Sequence, residues 1–299
     1  MALYGGIEGG GTKFICAVGT GPEDIRAEIR IPTTVPGETL GKAIKFFQDQ
    51  EKLHGRLSAI GFATFGPIDP DPSSKKYGHV LLTPKAGWSN TDVVSPFTES
   101  LNLPVGFDTD VNGAALAESQ WGAGKGCDPV LYMTVGTGIG GGALVNGKLM
   151  HGLLHPEMGH IRIPHDMKSD PFSGSCPIHG DCFEGLASGP AIEQRWHEKA
   201  EVMGSDHPAW ELESTYLALA VVNFILSISP QKIIIGGGVA QQSQILPMVR
   251  KKVIKNLNGY VQSIQVLENI DQYIVNPGLE GRSGVLGAIA LAQRALTEG

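Results

Sequence analysis

The sequence is poor in the features that place a protein outside the cell, in a membrane or on nucleic acid. Its four cysteines are too few and too scattered for a disulfide framework. Its first residues lack the basic start and apolar core of a signal peptide, and we find no apolar run of membrane-spanning length. The formal net charge of −7 disfavours a nucleic-acid partner, whose phosphates need a basic face. We therefore expect a cytoplasmic protein that binds neither membrane nor nucleic acid.

Glycine, by contrast, is abundant, with 41 residues in a chain of 299. Two segments repeat one pattern, in which an apolar run leads into a glycine-rich turn and a second apolar run follows. The two turns are Gly9–Lys13 and Gly136–Gly142. Each pattern predicts a β-hairpin, and their repetition predicts an internally duplicated fold. Strand-like and helical periods alternate elsewhere, which is typical of an α/β protein. We place the boundary between two lobes so that the first covers residues 1–122 and the second residues 123–299.

Three glycine-rich runs follow apolar strands and are candidates for holding phosphate. Without Cβ atoms, such turns can present several backbone N–H groups to one anion. The candidate residues are Gly10, Gly11, Thr12 and Lys13 in the first run, Gly136, Thr137 and Gly138 in the second, and Gly237 and Gly238 in the third. Any one run alone is better explained as a tight turn, but three together favour a nucleotide site. No run has the spacing of a P-loop or a dinucleotide-binding fingerprint.

Two carboxylates lie next to these turns. Glu8 enters the first run directly from a buried strand and could hold a hydrated Mg²⁺, which usually takes only one or two protein carboxylates. Asp110 lies between a predicted strand and a predicted helix, where a carboxylate could accept the proton of an attacking hydroxyl. Asn112 could cap the helix or touch a ligand. For Asp108, capping or solvation is the preferred interpretation.

A Cys-x-x-His-x-x-Cys segment predicts a metal site. Cys176, His179 and Cys182 supply three ligands and His160 a fourth, a set that suits tetrahedral Zn²⁺ in a structural role. Scattered cysteines without a shared role, or a Cys176–Cys182 disulfide, are the alternatives, but in a cytosolic chain zinc is favoured over either. Glu157 and Glu184 flank the ligands, so a rigid loop could present both carboxylates to sugar hydroxyls.

Together these motifs resemble the ROK family of sugar kinases, a branch of the actin-like ATPase superfamily, over essentially the whole chain. Gly9–Lys13 and Gly136–Gly142 match the family's two phosphate motifs, Asp110–Asn112 its catalytic stretch and Glu157–His160 its sugar and zinc signature. Glu8, Thr64–Asp69 and Thr83–Trp88 are similar to zinc-containing bacterial fructokinases. Many members carry a Cys-x-Cys-Gly-x-x-Gly-Cys segment where this chain has Cys-x-x-His-x-x-Cys, which is closer to the fructokinase branch.

The resemblance implies a duplicated actin-like, ribonuclease H-like ATPase fold with two lobes around a cleft. It implies a homodimer that uses Mg·ATP to phosphorylate the 6-hydroxyl of fructose, with Asp110 as the base. Zinc would be bound by His160, Cys176, His179 and Cys182. The residues facing the sugar would be Gly66, Pro67, Thr109, Asp110, Glu157, His160 and Glu184.

Other functions remain open at this stage. The acceptor could be glucose, mannose or an amino sugar, since hexoses differ in the placement of only a few hydroxyls. A non-catalytic sugar sensor is a further alternative, which the intact Asp110 and phosphate turns disfavour. A DNA-binding repressor of the family is disfavoured because the first phosphate strand starts at about residue three, leaving no room for an N-terminal helix-turn-helix domain.

Overall fold

The computed structural model describes residues 2–297 as an α/β protein with two five-stranded sheets. The first sheet contains β1 (Tyr4–Gly9), β2 (Lys13–Gly21), β3 (Asp24–Pro32), β4 (Ala59–Thr64) and β7 (Val105–Thr109), and the short strands β5 (His79–Val80) and β6 (Thr91–Asp92) pair separately. The second sheet contains β8 (Val130–Val135), β9 (Ile139–Val145), β10 (Lys148–Leu149), β11 (Lys232–Gly236) and β12 (Ile274–Val275).

Helices cover these sheets. Those in the first half are α1 (Pro36–His54), α2 (Ser95–Leu101) and α3 (Asp110–Trp121). Those in the second half are α4 (Phe183–Ala187), α5 (Gly189–Trp196), α6 (Ala209–Ile228), α7 (Ile245–Leu257), α8 (Ile264–Leu267), α9 (Ile270–Tyr273) and α10 (Ser283–Ala295), with a 3-10 turn at Met158–His160.

The two sheets have the same topology, which confirms the predicted duplication. The first runs β3-β2-β1-β4-β7 and the second β10-β9-β8-β11-β12. In each, the predicted hairpin supplies two antiparallel strands, and the later strands add in parallel beside the hairpin's first strand. This pattern confirms the duplicated actin-like architecture expected from the sequence.

The edge strand β3 was not predicted from the sequence. Its charged residues alternate with aliphatic ones, and most of its side chains remain at least partly exposed. An edge strand covered on only one face gives a weak apolar signal, because few of its residues enter the core. The interior strand β4 is buried at every position and was correctly predicted.

The longest helix of the second half, α6, is long and apolar enough to cross a membrane by length and composition alone. The prediction that no apolar run reaches membrane-spanning length is therefore not confirmed for this helix. Trp210, Leu217, Val221 and Phe224 of α6 are buried in the core of the second half. A core helix passes the same test, so this one helix is weak evidence for a membrane span.

The last helix, α10, packs on the first sheet rather than the second. A Cβ at Gly61 of β4 would clash with the backbone oxygen of Ala288, so this glycine lets helix and sheet approach closely. Glu118 of α3 is fully buried and accepts a hydrogen bond from the Ser283 hydroxyl at 2.6 Å and another from the backbone N–H of Gly278 at 2.9 Å. This carboxylate ties the end of α3 to the start of α10. The boundary between residues 122 and 123 stays a prediction.

Candidate active site

The predicted site residues follow the carboxyl ends of parallel strands. In the first sheet, Gly9 pairs with Thr64 and Thr64 with Thr109, so the first glycine turn, the Gly66–Pro67 turn and Asp110 begin at the same edge. In the second sheet, Gly236 pairs with Thr134, which brings the second and third glycine turns together. Ligands in open α/β sheets gather at such edges.

A cavity of about 440 Å³ lies where the two edges meet. Its lining includes Glu8 and Asp110 from the first half and Thr134, Gly237 and Asn276 from the second. Gly10–Lys13, Glu157 and Glu184 are not part of this lining. A larger cavity of about 640 Å³ lies at the opposite end of β11, near Lys232, and the part of the chain that the structure describes places no carboxylate in its wall. The volume of a cavity therefore does not identify the active site. The smaller cavity is the candidate because acidic side chains and a glycine turn converge on it.

Asp110 is the first residue of α3. The Thr109 hydroxyl caps this helix by accepting a hydrogen bond from the Asn112 N–H at 3.1 Å, and Oδ1 of Asp110 accepts one from the Val111 N–H at 2.9 Å. Burial first, and then the nearby charge of Glu8, raises the pKa of Asp110 to about 7. The side chain nevertheless opens into the cavity. A carboxylate with a pKa near neutrality is suited to act as a general base.

Asn112 and Asp108 serve the turn around Asp110. The Asn112 side chain is buried; its Nδ2 donates to Asp108 Oδ1 at 2.9 Å and its Oδ1 accepts from the Ala143 N–H of β9 at 3.2 Å. Asp108 is likewise buried and accepts a second hydrogen bond from the Thr109 N–H at 2.7 Å. Thr109, not Asn112, is therefore the cap of α3, and Asp108 is neither a cap nor solvated.

Glu8 faces the start of α10. A Cβ at Gly284 would clash with the Glu8 carboxylate, so this glycine leaves the space that the carboxylate fills. Burial raises the pKa of Glu8, and the positive charge of Lys13 acts in the opposite direction. A half-buried carboxylate that shares a cavity with Asp110 fits a divalent cation, because a cation would offset both negative charges.

The third glycine turn packs against the end of β8, directly before the second glycine turn. Gly237 has a φ of +91°, and a Cβ there would clash with the backbone of Val135, so the turn requires glycine. At Gly238, in contrast, no described protein atom lies within 4 Å of the position a Cβ would take. Gly11 in the first turn is equally open. Packing within the described protein therefore explains Gly237 but not Gly238 or Gly11.

Glu184 connects the Cys/His segment to the second glycine turn. Its Oε2 accepts a hydrogen bond from the Ile139 N–H at 2.9 Å, and its Oε1 lies 4.0 Å from Nε2 of His160. Glu157 is about half exposed, and burial first, and then the charge of Glu184, raises its pKa. Since the Glu157 charge also acts on Asp110, these carboxylates belong to one electrostatic cluster.

The four predicted zinc ligands come together. Their ligand atoms all lie within 4.8 Å of one another, and Nδ1 of His160 is 3.5 Å from the Cys182 sulfur and 3.8 Å from the Cys176 sulfur. Metal–ligand bonds of 2.0–2.3 Å in a tetrahedron separate the ligands by roughly 3.3–3.8 Å, so the set fits Zn²⁺. Burial raises the pKa of Cys182 to about 11, so the thiolate form needs a nearby cation. All four cysteines are free, so the disulfide alternative is wrong.

Two histidines to which the sequence assigned no role also reach the site. His151 Nε2 lies 2.8 Å from Oδ2 of Asp108, and His155 Nε2 accepts a hydrogen bond from the Ile68 N–H at 3.0 Å. Both belong to the segment after β10, yet both partners lie in the first half of the chain. No local pattern marks such contacts, because the partners are separated by more than 40 residues.

Comparison with known proteins shows what the whole chain is similar to. A family model described as the ROK family matches residues 4–295. A fructokinase from Zymomonas mobilis is 46% identical over 294 residues, covering 97% of this chain and 96% of the relative. A fructokinase from Lactococcus lactis subsp. cremoris is 41% identical over 296 residues, covering 99% and 98%. The crystal structure of a ROK family glucokinase from Streptomyces griseus in complex with glucose and AMPPNP superposes with a TM-score of 0.76 at 24% identity, covering 98% of this chain and all of that one.

Proposed function

The chain belongs to the ROK family, and on that premise we propose that it is an ATP-dependent fructokinase that transfers the γ-phosphoryl group to the 6-hydroxyl of D-fructose. The single observation that carries the proposal is the cavity at the junction of the two sheets. There the Asp110 carboxylate shares a wall with Glu8 and the third glycine turn. Two relatives named fructokinase align with this chain over nearly its whole length.

Asp110 is assigned the role of general base. The sugar hydroxyl loses its proton to the Asp110 carboxylate, whose Oδ1 also accepts the Val111 N–H. At neutral pH about half of the Asp110 side chains are ionised if the pKa is about 7. After the transfer Asp110 holds the proton, and burial together with the charge of Glu8 favours its neutral form. Phosphoryl transfer needs little else from the protein except positioning and charge stabilisation.

The glycine turns are assigned to the ATP phosphates. Gly10, Gly11, Thr12 and Lys13 on one side and Gly136, Thr137 and Gly138 on the other supply N–H, hydroxyl and ammonium donors, and Gly237 and Gly238 border the nucleotide. The open space beside Gly11 and Gly238 supports this assignment, because close approach of a ligand explains why a side chain is lacking there. Glu8 would hold a hydrated Mg²⁺, which supplies positive charge to the transferred phosphoryl group.

Zinc would be held by His160, Cys176, His179 and Cys182 and would supply structural rigidity. Since Nδ1 of His160 faces the two cysteines, its Nε2 carries the proton when Nδ1 binds metal. That N–H points toward Glu184 and can donate to a sugar hydroxyl. Glu157 and Glu184 accept hydrogen bonds from other hydroxyls. Gly66, Pro67 and Thr109 complete the proposed sugar-binding set.

A panel of hexoses tests the proposed substrate. ADP release would be measured with Mg·ATP and fructose, glucose, mannose and N-acetylated amino sugars, each over a range of concentrations. We expect the highest kcat/KM with fructose. A higher kcat/KM with glucose or mannose would assign the alternative hexokinase function. The structure of a glucokinase is among those that superpose on this chain. No turnover with any hexose would leave only the sugar-sensor alternative.

The setting of the enzyme is also part of the proposal. We propose a cytoplasmic enzyme, in keeping with the relatives named fructokinase that it matches over nearly its whole length. A homodimer is proposed from the family alone; light scattering of the purified protein tests it.

A further inference from the structure

The segment between β10 and the 3-10 turn crosses from the second half of the molecule to the first. Its two anchors are His151, which contacts Asp108 on β7, and His155, which contacts the backbone of Ile68. Asp108 lies two residues before the catalytic Asp110, and Ile68 follows the Gly66–Pro67 turn. The segment therefore touches both the catalytic turn and the sugar turn without belonging to either.

The Asp108 carboxylate is the centre of a closed hydrogen-bond network. Its side chain is 2% exposed, and its two oxygens serve three donors, the Thr109 N–H, the Asn112 amide and the His151 ring. Two of these donors belong to the turn that carries Asp110. The third donor, His151, is the one that comes from the other half of the molecule.

A buried carboxylate is costly unless it is fully paired. Asn112 and the Thr109 N–H satisfy Oδ1, so Oδ2 depends on His151. The charged groups that face His151 are Asp108 on β7 and Arg294 on α10. The hydrogen bond to Asp108 raises the pKa of His151, while burial and Arg294 act in the opposite direction. The neighbouring His155 has a pKa lowered by burial and accepts the Ile68 N–H, so it is neutral.

We propose that His151 is a positioning residue for the reaction: from the second half of the molecule it fixes the buried Asp108 carboxylate and, through it, the turn that carries Asp110. His151 itself contacts neither substrate nor the reacting atoms. This inference rests on the proposed kinase function and on Asp110 as its base. Without His151, the Asp108 charge has no partner for Oδ2, and the turn can rearrange to hydrate it.

Steady-state kinetics test the proposal with wild type, His151→Ala, His151→Gln, Asp108→Asn and the double variant of His151→Ala and Asp108→Asn. We expect His151→Ala to lower kcat at least tenfold while KM for ATP changes less than threefold, because small displacements of a catalytic group have large effects. His151→Gln keeps a neutral donor and should recover part of the loss. His54→Ala, on the outer helix α1, is the matched control and should match wild type.

The pH profile separates positioning from a general loss of stability. An unpaired Asp108 carboxylate near Asp110 disfavours a second negative charge, so the acid limb of kcat/KM should move to higher pH in His151→Ala. In the Asp108→Asn background, the same His151→Ala change should lower kcat only slightly, since the two residues act as one unit. The proposal would be overturned if His151→Ala kept the wild-type kcat and the wild-type acid limb of kcat/KM. It would also be overturned if His151→Ala lowered kcat equally in the wild-type and Asp108→Asn backgrounds.

A measurement without substrate distinguishes this inference from the proposed function. The pKa of His151, followed by NMR, should fall in Asp108→Asn. A wild-type enzyme inactive on every hexose would refute the kinase function but not the contact. An active wild type with an unchanged His151 pKa in Asp108→Asn would refute the contact while leaving the kinase function intact.

Discussion

Replacing Asp110 with asparagine should lower turnover by orders of magnitude and stabilise the folded protein in the same variant. Asn is nearly isosteric, and its Oδ1 can still accept the Val111 N–H. It cannot take the proton of the sugar hydroxyl. General base catalysis contributes roughly 10²–10⁴-fold, so kcat should fall by at least about 100-fold. KM for the sugar should change little.

The stability gain follows from the pKa of Asp110, which burial and Glu8 raise from 3.8 to about 7. Because the pKa is higher in the folded than in the unfolded protein, the unfolded chain binds fewer protons between about pH 4 and 7. Ionisation of Asp110 therefore lowers stability as the pH rises through this window. At pH 8 the full cost is at most about 4 kcal/mol, and at pH 5 it falls below about 2 kcal/mol. Solvent in the cavity screens part of the charge, so these are upper limits.

Thermal unfolding of wild type and Asp110→Asn at pH 8 and pH 5 checks this reasoning. At roughly 2 °C per kcal/mol, the variant's Tm should exceed that of wild type by several degrees at pH 8 and by clearly less at pH 5. Asp206→Asn, at an exposed position, is the control and should change neither Tm nor kcat. An Asp110→Asn protein that turns over within a few-fold of wild type, or that is less stable at pH 8, would refute the assignment.

Three further outcomes are expected. The kcat/KM for fructose should rise about tenfold between pH 6 and pH 8, because Asp110 with a pKa near 7 ionises in this range. Glu157→Gln should shift this rise to lower pH, because the variant lacks a negative charge that acts on Asp110. A flat pH profile would contradict both predictions. Gly238→Ala should raise KM for ATP at unchanged Tm, whereas Gly237→Ala should lower Tm; equal effects of the two would show that the third glycine turn does not approach the nucleotide. Metal analysis should find one zinc per chain, and Cys182→Ser should lose the zinc together with thermal stability; a metal-free wild type of full stability would rule the site out.

Several features of the site were readable from the sequence because their signals are local. The two glycine-rich hairpins, the strand β4, the helix α7 and the Cys-x-x-His-x-x-Cys segment each depend on residues close together in the chain. Such patterns reflect the period of a strand or helix and the reach of a short loop, so they survive without knowledge of the fold. Asp110 could be singled out for the same reason, since it lies between a strand and a helix.

Only the tertiary structure decided which groups meet and how each is tuned. The sharing of one cavity by Glu8, Asp110 and Gly237 depends on two sheets whose carboxyl edges face each other, and the same burial and like charge raise the pKa of Asp110. The pairing of Asp108 with His151 joins residues 43 positions apart. These properties arise from burial and from contacts between distant segments, and neither has a period or a spacing along the chain. The sequence by itself therefore determined the chemical groups and their local elements, and the packing of the two halves determined their environment.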